Sequence, residues 1–211
     1  MDIKIQYGKL AEFWRVTGTL KTIDRLDEHK YPYKLPRGIS KNSSEEEIKE
    51  QIAKEFTLQK YISVQQELQN TFFPKKELLH SSIEQHLGVS ANSFTVSLIY
   101  YGTGGSYNFP NYIMLNISNT KPYHKTLFHE IVHLCIHENI IKYSINHWEK
   151  ERIVDLICNA PEFGYMGYDR RNKVGYGGVE SYVDTLFSDL FFSNQEQFFI
   201  ELQKYKQENN I

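Results

Sequence analysis

An apolar segment with two histidines and a glutamate inside it places the strongest constraint on how this chain can fold. Residues Leu127–His137 read Leu-Phe-His-Glu-Ile-Val-His-Leu-Cys-Ile-His, and the seven apolar side chains are distributed nearly all the way around a helical projection. A helix that is hydrophobic on all sides is a buried helix. Because an unpaired buried charge is costly, the polar side chains within it need partners. The sequence therefore predicts a buried helix from about Pro122 to Glu138 that carries a polar site.

The polar residues of this helix follow the pattern His-Glu-x-x-His, with His129 and His133 four positions apart. On a helix, positions i and i+4 lie on one face, so both imidazoles can reach a single tetrahedral Zn²⁺ ion. Glu130 projects about 100° around the axis from His129, beside the open coordination position, where it can act as a general base. We therefore predict His129 and His133 as zinc ligands and Glu130 as a catalytic residue. The alternative is a core helix whose histidines hydrogen-bond to backbone or carboxylate groups.

A catalytic zinc site of this kind has three protein ligands, and two common sources of the third ligand are not matched here. In metzincins a glycine and a third histidine follow the motif, but the corresponding positions hold Ile136 and Asn139. In peptide deformylases the third ligand is an upstream cysteine, whereas Cys135 and Cys158 both lie downstream of the motif. The remaining source is a carboxylate of the following helix, which we predict from about His147 to Asn159.

This second helix offers two carboxylates on one face. Asn146 and Glu149 form an N-terminal capping arrangement, which accounts for Glu149. Glu151 and Asp155 are four residues apart, and Glu151 is left to face the metal. With a turn at 139–145, the two helices are expected to form an antiparallel pair in which Glu151 reaches the level of the two histidines.

HExxH followed on the next helix by ExxxD resembles the gluzincin branch of the zincins, which includes thermolysin and related aminopeptidases. The resemblance covers roughly residues 125–160, and the 17 residues between His133 and Glu151 are slightly fewer than in the best-known members. It implies that Glu151 is the third metal ligand and that Asp155 orients a ligand histidine. In its size and its HExxHxxxH helix the chain is also similar to compact zincins of bacterial stress and toxin–antitoxin regulators.

The resemblance implies a zinc-dependent peptidase acting on a peptide or protein substrate. A metal-activated water would hydrolyse the peptide bond, with Glu130 as the general base. The alternative is a non-catalytic, zincin-like module that binds zinc or a partner in regulation. The presence of Glu130 favours the peptidase, because metal binding alone does not require this carboxylate.

A zinc peptidase also needs a donor for the oxyanion of its tetrahedral intermediate. No histidine follows His147, so the donor histidine of thermolysin has no counterpart. The loop 162–178 supplies several tyrosines and two arginines, and Tyr176 is our candidate because the glycines beside it let the loop approach the site. The alternative is that these aromatic rings only cover the core.

The remaining pattern predicts an α+β, zincin-like fold with a small mixed sheet packed on the central HExxH helix and a mostly helical C-terminal part. A single domain, 1–211, is expected. Residues 1–90 are expected to form an N-terminal strand and helices. Residues 91–160 should form a hairpin and the metal-binding helices, and residues 161–211 a loop and C-terminal helices.

Capping and stop signals place several of these elements. Ser44 and Glu47 form a capping box that opens a long helix reaching about Gln59. Residues 1–42 combine a first strand with a polar, Pro-punctuated loop at 31–38. A second helix is expected from about 75 to 86, ending at Gly88. Two C-terminal helices are predicted near 179–192 and 195–207.

The hairpin is predicted from two β-rich runs, 94–101 and 112–118, joined by a Gly-rich loop. This loop joins strand to strand, so it lacks the strand-to-helix context of a phosphate-binding loop. In zincins a sheet-edge strand in this region pairs with extended substrate. Because the strand 112–117 leads into the metal helix, the resemblance implies that it is this edge, and we predict that the hairpin forms the upper wall of the cleft.

The charge of the chain and its targeting signals limit which partners and which cellular compartment are expected. With 24 basic and 26 acidic residues the formal charge is −2, which argues against nucleic acid or an anionic membrane surface as a partner. The N-terminal residues lack a secretory-signal pattern, and no apolar run reaches membrane-spanning length. Two cysteines do not form a disulfide framework. We expect a cytoplasmic protein, or one exported without a classical signal peptide.

Overall fold

The computed structural model describes residues 1–169 and 176–209 and is an α+β structure with a small mixed sheet. The strands are β1 (Asp2–Gln6), β2 (Ser93–Ile99), β3 (Ser106–Asn108) and β4 (Tyr112–Asn116). The α-helices are α1 (Lys9–Glu28), α2 (Glu45–Glu55), α3 (Leu58–Thr71), α4 (Lys76–Leu87), α5 (Tyr123–Lys142), α6 (His147–Asn159), α7 (Glu180–Leu186) and α8 (Gln195–Asn209). Within the described ranges, no helix combines the length and the apolar character needed to cross a lipid bilayer.

The chain divides into two compact units, each assembled from segments that are separated in sequence. The sheet unit comprises Asp2–Pro74 and Ser93–Leu127, with β1–β4 and α1–α3. The helical unit comprises Met1, Lys75–Asn92 and Phe128–Ile211, with α4, α6–α8 and most of α5. Because the boundary falls within α5 just before His129, every predicted site residue belongs to the helical unit.

The sheet has the strand order β1-β2-β4-β3, and its strands do not pair as predicted. β2 runs parallel to both β1 and β4, with Val96 beside Ile5 and Ile113. β3 is antiparallel to β4. The predicted hairpin between 94–101 and 112–118 is therefore wrong. The connection contains a strand of its own, β3, so the chain reverses twice between β2 and β4 and the two runs end up parallel.

The predicted substrate-binding edge at 112–117 is also wrong. β4 is an interior strand, with β2 on one side and β3 on the other. Its backbone groups are engaged by these two neighbours, so an extended peptide cannot add to it. Among the described strands, the edges of this sheet are β1 and β3.

Helix α1 lies between the predicted first strand and the polar loop predicted at 31–38, in a region where the sequence indicated no individual helix. Its side chains Phe13 and Val16 are buried and pack with Ile48 and Ile52 of α2 and with Tyr101. The spacing of the buried residues is helical, but Thr17, Gly18 and Thr19 are weak helix formers that dilute the pattern. Tertiary packing of one apolar face decides the outcome here.

The long helix predicted to start at Ser44 is two helices. Its capping box is present, because the Ser44 side chain accepts from the Glu47 N–H and the Glu47 carboxylate accepts from the Ser44 N–H. Phe56 then adopts an extended backbone conformation and ends α2. Its ring stacks on Tyr61 of α3 with centroids 4.8 Å apart, so the residue that interrupts the helix also packs against the next one.

Aromatic side chains build much of the core of the helical unit. Phe128 of α5 packs on Phe163, with ring centroids 5.6 Å apart. At the C-terminal end, Phe191 packs edge-on against Phe198 of α8 at 5.2 Å. These rings are fully buried. Because Phe128 immediately precedes His129, its packing anchors the part of α5 that carries the candidate site.

Candidate metal centre

The start of α6 is fixed by the capping arrangement that the sequence predicts. The Asn146 side chain accepts from the Glu149 N–H at 3.0 Å, and the Glu149 carboxylate accepts from the Asn146 N–H at 2.9 Å. Glu149 also accepts a hydrogen bond from the Tyr182 hydroxyl at 2.8 Å and pairs with the Lys206 ammonium at 3.0 Å. This carboxylate is therefore committed to holding helices together, which leaves the next acidic residue of α6 for the site.

The two histidines of the motif lie one turn apart on α5 and are buried, with 5 % of His129 and 2 % of His133 exposed. Their ring centroids are 4.6 Å apart. The two Nε2 atoms approach to 3.0 Å. Both imidazoles therefore direct the same ring nitrogen toward one location.

Glu151 of α6 completes a triangle with these rings. Its Oε2 lies 3.5 Å from the Nε2 of His129, and its Oε1 lies 3.5 Å from the Nε2 of His133. Ligand atoms of the three residues all lie within 4.8 Å of one another. The structure thus brings together the three side chains that the sequence predicts as metal ligands.

The donor types and their spacing fit a zinc ion. Zinc binds imidazole nitrogen at about 2.0–2.1 Å and carboxylate oxygen at about 2.0–2.2 Å, so two ligand atoms of a tetrahedral ion stand about 3.3–3.5 Å apart. Here the two Nε2 atoms are 3.0 Å apart, and each lies 3.5 Å from a different oxygen of the Glu151 carboxylate. Two histidines and one glutamate form a known ligand set of catalytic zinc sites, in which the fourth position stays open.

The other nitrogen of the His129 ring is held by two oxygen atoms. Its Nδ1 lies 3.2 Å from Oδ1 of Asp155 and 3.0 Å from the hydroxyl of Tyr168. The Tyr168 hydroxyl donates to the same Asp155 oxygen at 2.5 Å, so its oxygen is left to accept from the His129 ring. These contacts favour the proton on Nδ1 and leave the Nε2 lone pair for a cation.

Tyr176, the predicted oxyanion donor, is buried, and its hydroxyl donates a hydrogen bond to Oδ2 of Asp155. Burial, together with this hydrogen bond to the carboxylate, raises its pKa. In this arrangement the hydroxyl serves Asp155, so its role toward a substrate oxyanion stays a prediction. The neighbouring loop positions 170–175, which include the two arginines of the sequence interpretation, lie outside the described residues.

Glu130 follows His129 on α5 and is buried, with 6 % of its surface exposed. Its position one residue on from a ligand histidine rotates its side chain by about 100° around the helix axis. The described residues that can share one metal ion are accordingly His129, His133 and Glu151, without Glu130.

Burial and hydrogen bonding shift the pKa values of the three candidate ligand side chains in opposite directions. Burial alone would lower the pKa of His129, but hydrogen bonds to Asp155, Cys158 and Glu151 outweigh it and raise this pKa well above its ordinary value. Burial dominates at His133 and lowers its pKa to about 4. Burial alone would raise the pKa of Glu151, but its contacts with both imidazoles hold that pKa far below its usual range. Glu151 is therefore an ionised carboxylate and His133 a neutral imidazole, the forms that bind metals, whereas the raised pKa of His129 favours a protonated ring that must release its Nε2 proton when a cation binds.

Two basic side chains flank Glu151 on the same helix. The Lys150 ammonium lies 3.2 Å from Oε1 of Glu151, and only 19 % of the Lys150 side chain is exposed. The Nδ1 of His147 lies 3.9 Å from the same oxygen, and this side chain is 55 % exposed. Among the described residues, His147 is not part of the group whose ligand atoms lie within 4.8 Å of one another.

Sequence reasoning missed Tyr168 and Lys150 at this site. Tyr168 is one of several tyrosines in the loop after α6, and no spacing pattern distinguishes it from Tyr165 or Tyr176. Its contact depends on how the loop returns to α5, which is a tertiary property. Lys150 carried a weak signal, since it is adjacent to a predicted ligand.

Comparisons with models of known protein families, with curated proteins and with solved structures give no match for this chain. The interpretation of the site therefore depends on its own residues, distances and burial.

Proposed function

We propose that this chain is a zinc-dependent peptidase with a zincin-like, gluzincin-type site. The observation that carries the proposal is the convergence of His129, His133 and Glu151, with the two Nε2 atoms 3.0 Å apart and each of them 3.5 Å from one oxygen of the Glu151 carboxylate. The HExxH motif provides the two histidines and an adjacent buried carboxylate, Glu130, and α6 provides Glu151. That combination is the minimal set for metal-assisted hydrolysis.

His129, His133 and Glu151 would hold the ion, and Asp155 would keep the His129 ring in its metal-binding orientation. When bound, Zn²⁺ supplies Lewis acidity, which polarises a peptide carbonyl and lowers the pKa of water. The cluster suits this cation because it offers a negative carboxylate and two imidazole nitrogens in a largely buried setting.

Glu130 would act as the general base. Its carboxylate removes a proton from the attacking water and delivers that proton to the leaving amine, so one residue serves both halves of the reaction. Burial excludes competing water from this carboxylate and strengthens its electrostatic interactions. A peptide or protein substrate agrees with the nearly balanced charge of the chain, which provides no general attraction for nucleic acid.

The test is Glu130→Gln, with Glu138→Gln as the matched control because Glu138 is an exposed glutamate of the same helix. Cleavage of a diverse peptide library is followed by mass spectrometry, and zinc content is measured on the same samples. We expect Glu130→Gln to lose at least about 10²-fold in rate while zinc stays bound, because the variant lacks the base and retains the ligands. The control should cleave like the wild type.

Equal cleavage by the Glu130→Gln and wild-type proteins contradicts the peptidase proposal. A wild-type protein that binds zinc and cleaves nothing in the library supports the alternative, a non-catalytic zinc-binding or regulatory module.

A further inference from the structure

The Asp155 carboxylate is held from two sides by tyrosine hydroxyls. Tyr168 donates to Oδ1 at 2.5 Å, and Tyr176 donates to Oδ2. Asp155 is 3 % exposed, so these donors take the place of water around the carboxylate. With both oxygens occupied, the carboxylate has little freedom to rotate away from the His129 ring.

Tyr168 also acts on His129 directly. Its ring lies nearly parallel to the imidazole, with centroids 6.0 Å apart and planes inclined by 10°. Its hydroxyl oxygen stands 3.0 Å from Nδ1, the nitrogen that does not face the cation. A hydroxyl that donates to Asp155 can only accept from this nitrogen, which fixes the tautomer needed at Nε2.

Tyr176 is fixed in place by residues of α6 and α7. Its backbone N–H donates to Oε1 of Glu180 at 2.9 Å. The Arg152 guanidinium lies 5.1 Å from the centre of its ring, and the Nε of Arg152 donates to Oδ1 of Asp184 at 2.6 Å. The tyrosine therefore reaches Asp155 from a supported position.

We propose that Tyr168 and Tyr176 are positioning residues that set the metal affinity of the centre by holding Asp155 and, through it, the His129 imidazole. The inference rests on the proposed metal centre and extends it by naming what supports its ligands. It assigns Tyr176 a role at Asp155 in place of a role at the substrate oxyanion. Of the two, Tyr168 has the larger effect, because it contacts both the carboxylate and the ligand ring.

The test measures Zn²⁺ affinity by competition with a chromogenic chelator for the wild type, Tyr168→Phe and Tyr176→Phe. We expect Tyr168→Phe to weaken zinc binding about 10- to 100-fold, the range typical for partners of ligand histidines, and Tyr176→Phe to weaken it less. Tyr182→Phe is the matched control, since it removes an equivalent buried hydrogen bond from tyrosine to a carboxylate, that of Glu149, which lies outside the ligand group. Its zinc affinity should equal that of the wild type.

Cobalt substitution separates positioning from general structural support. The visible absorption bands of bound Co²⁺ report ligand geometry, so Tyr168→Phe should shift them, whereas Tyr182→Phe should lower only the melting temperature. Unchanged zinc affinity and cobalt spectra in both Tyr168→Phe and Tyr176→Phe, with a wild type that binds zinc, overturn this inference alone. A wild-type protein that binds neither metal overturns the proposed centre as well.

Discussion

Two regions of the molecule bury a carboxylate beneath tyrosines, and only one of them forms a candidate site. In the sheet unit, Glu12 is fully buried and accepts from the Tyr61 hydroxyl at 2.5 Å and from the backbone N–H groups of Tyr100 and Tyr101 at 2.6 and 3.3 Å. In the helical unit, Asp155 is equally buried and also accepts from two tyrosines. The difference is that an imidazole lies against Asp155.

The imidazole reverses the direction of the pKa shift of the buried carboxylate. Burial raises the pKa of Glu12, and its hydrogen bonds to Tyr61 and the backbone only partly offset this effect. Burial would also raise the pKa of Asp155, but the hydrogen bond with His129 outweighs it and the net pKa is lowered. In the sheet unit, the buried carboxylate of Glu12 thus links α1 to Tyr61 of α3 and to the backbone of Tyr100 and Tyr101. In the other unit an imidazole lies against the carboxylate, and we propose that the same arrangement supports a metal ligand there.

The largest expected effect comes from removing the structural carboxylate. Glu12→Ala leaves the Tyr61 hydroxyl and two backbone N–H groups without their acceptor in a buried setting. Unpaired buried donors cost about 1–3 kcal/mol each, so we expect the free energy of unfolding to fall by about 3–5 kcal/mol in urea titrations. Zinc affinity of the folded variant should be unchanged. A loss below about 1 kcal/mol, or a loss of zinc affinity in the folded protein, would break the distinction between the two regions.

A smaller effect is expected in the pH dependence of stability. The pKa of Glu12 is raised above its ordinary value of 4.5, so the folded state holds this proton more tightly than the unfolded state. Stability is therefore lost as pH rises from about 4.5 through the folded-state pKa, with a slope of at most about 1.4 kcal/mol per pH unit. Relative to Glu12→Gln, which cannot titrate, the wild type should lose stability over this interval. A wild type that gains stability there would show that the Glu12 carboxylate is stabilised by its partners after all.

Local signals in the sequence were sufficient to place the helices of the candidate site. Helix α6 has the predicted bounds, His147–Asn159, because the Asn146–Glu149 capping arrangement marks its start. Helix α5 was predicted from the apolar side chains at 127–136, and the i, i+4 spacing of its histidines placed both rings on one face. These properties depend on neighbouring residues, so they can be identified without tertiary information. The end of α5 was predicted too early, because the helix continues to Lys142, about one turn beyond Glu138.

Features that depend on distant segments were not predicted. The parallel pairing of β2 with β4 depends on the short strand β3, whose three residues carry little pattern of their own. Tyr168 reaches Asp155 across 13 residues and a loop, so its role depends on the folded path of the chain. The two interleaved units follow from contacts among separated segments, which no local motif indicates.

Zinc content of the protein purified without chelator tests the central claim most directly. The wild type and Glu151→Ala are compared by plasma mass spectrometry, with Glu196→Ala as the control because it removes a carboxylate that pairs with Lys142 instead. We predict about one zinc ion per chain in the wild type and the control, and little or none in Glu151→Ala, since two histidines alone bind zinc weakly. Full zinc content in Glu151→Ala, or none in the wild type, would contradict the convergence of His129, His133 and Glu151 on a single cation.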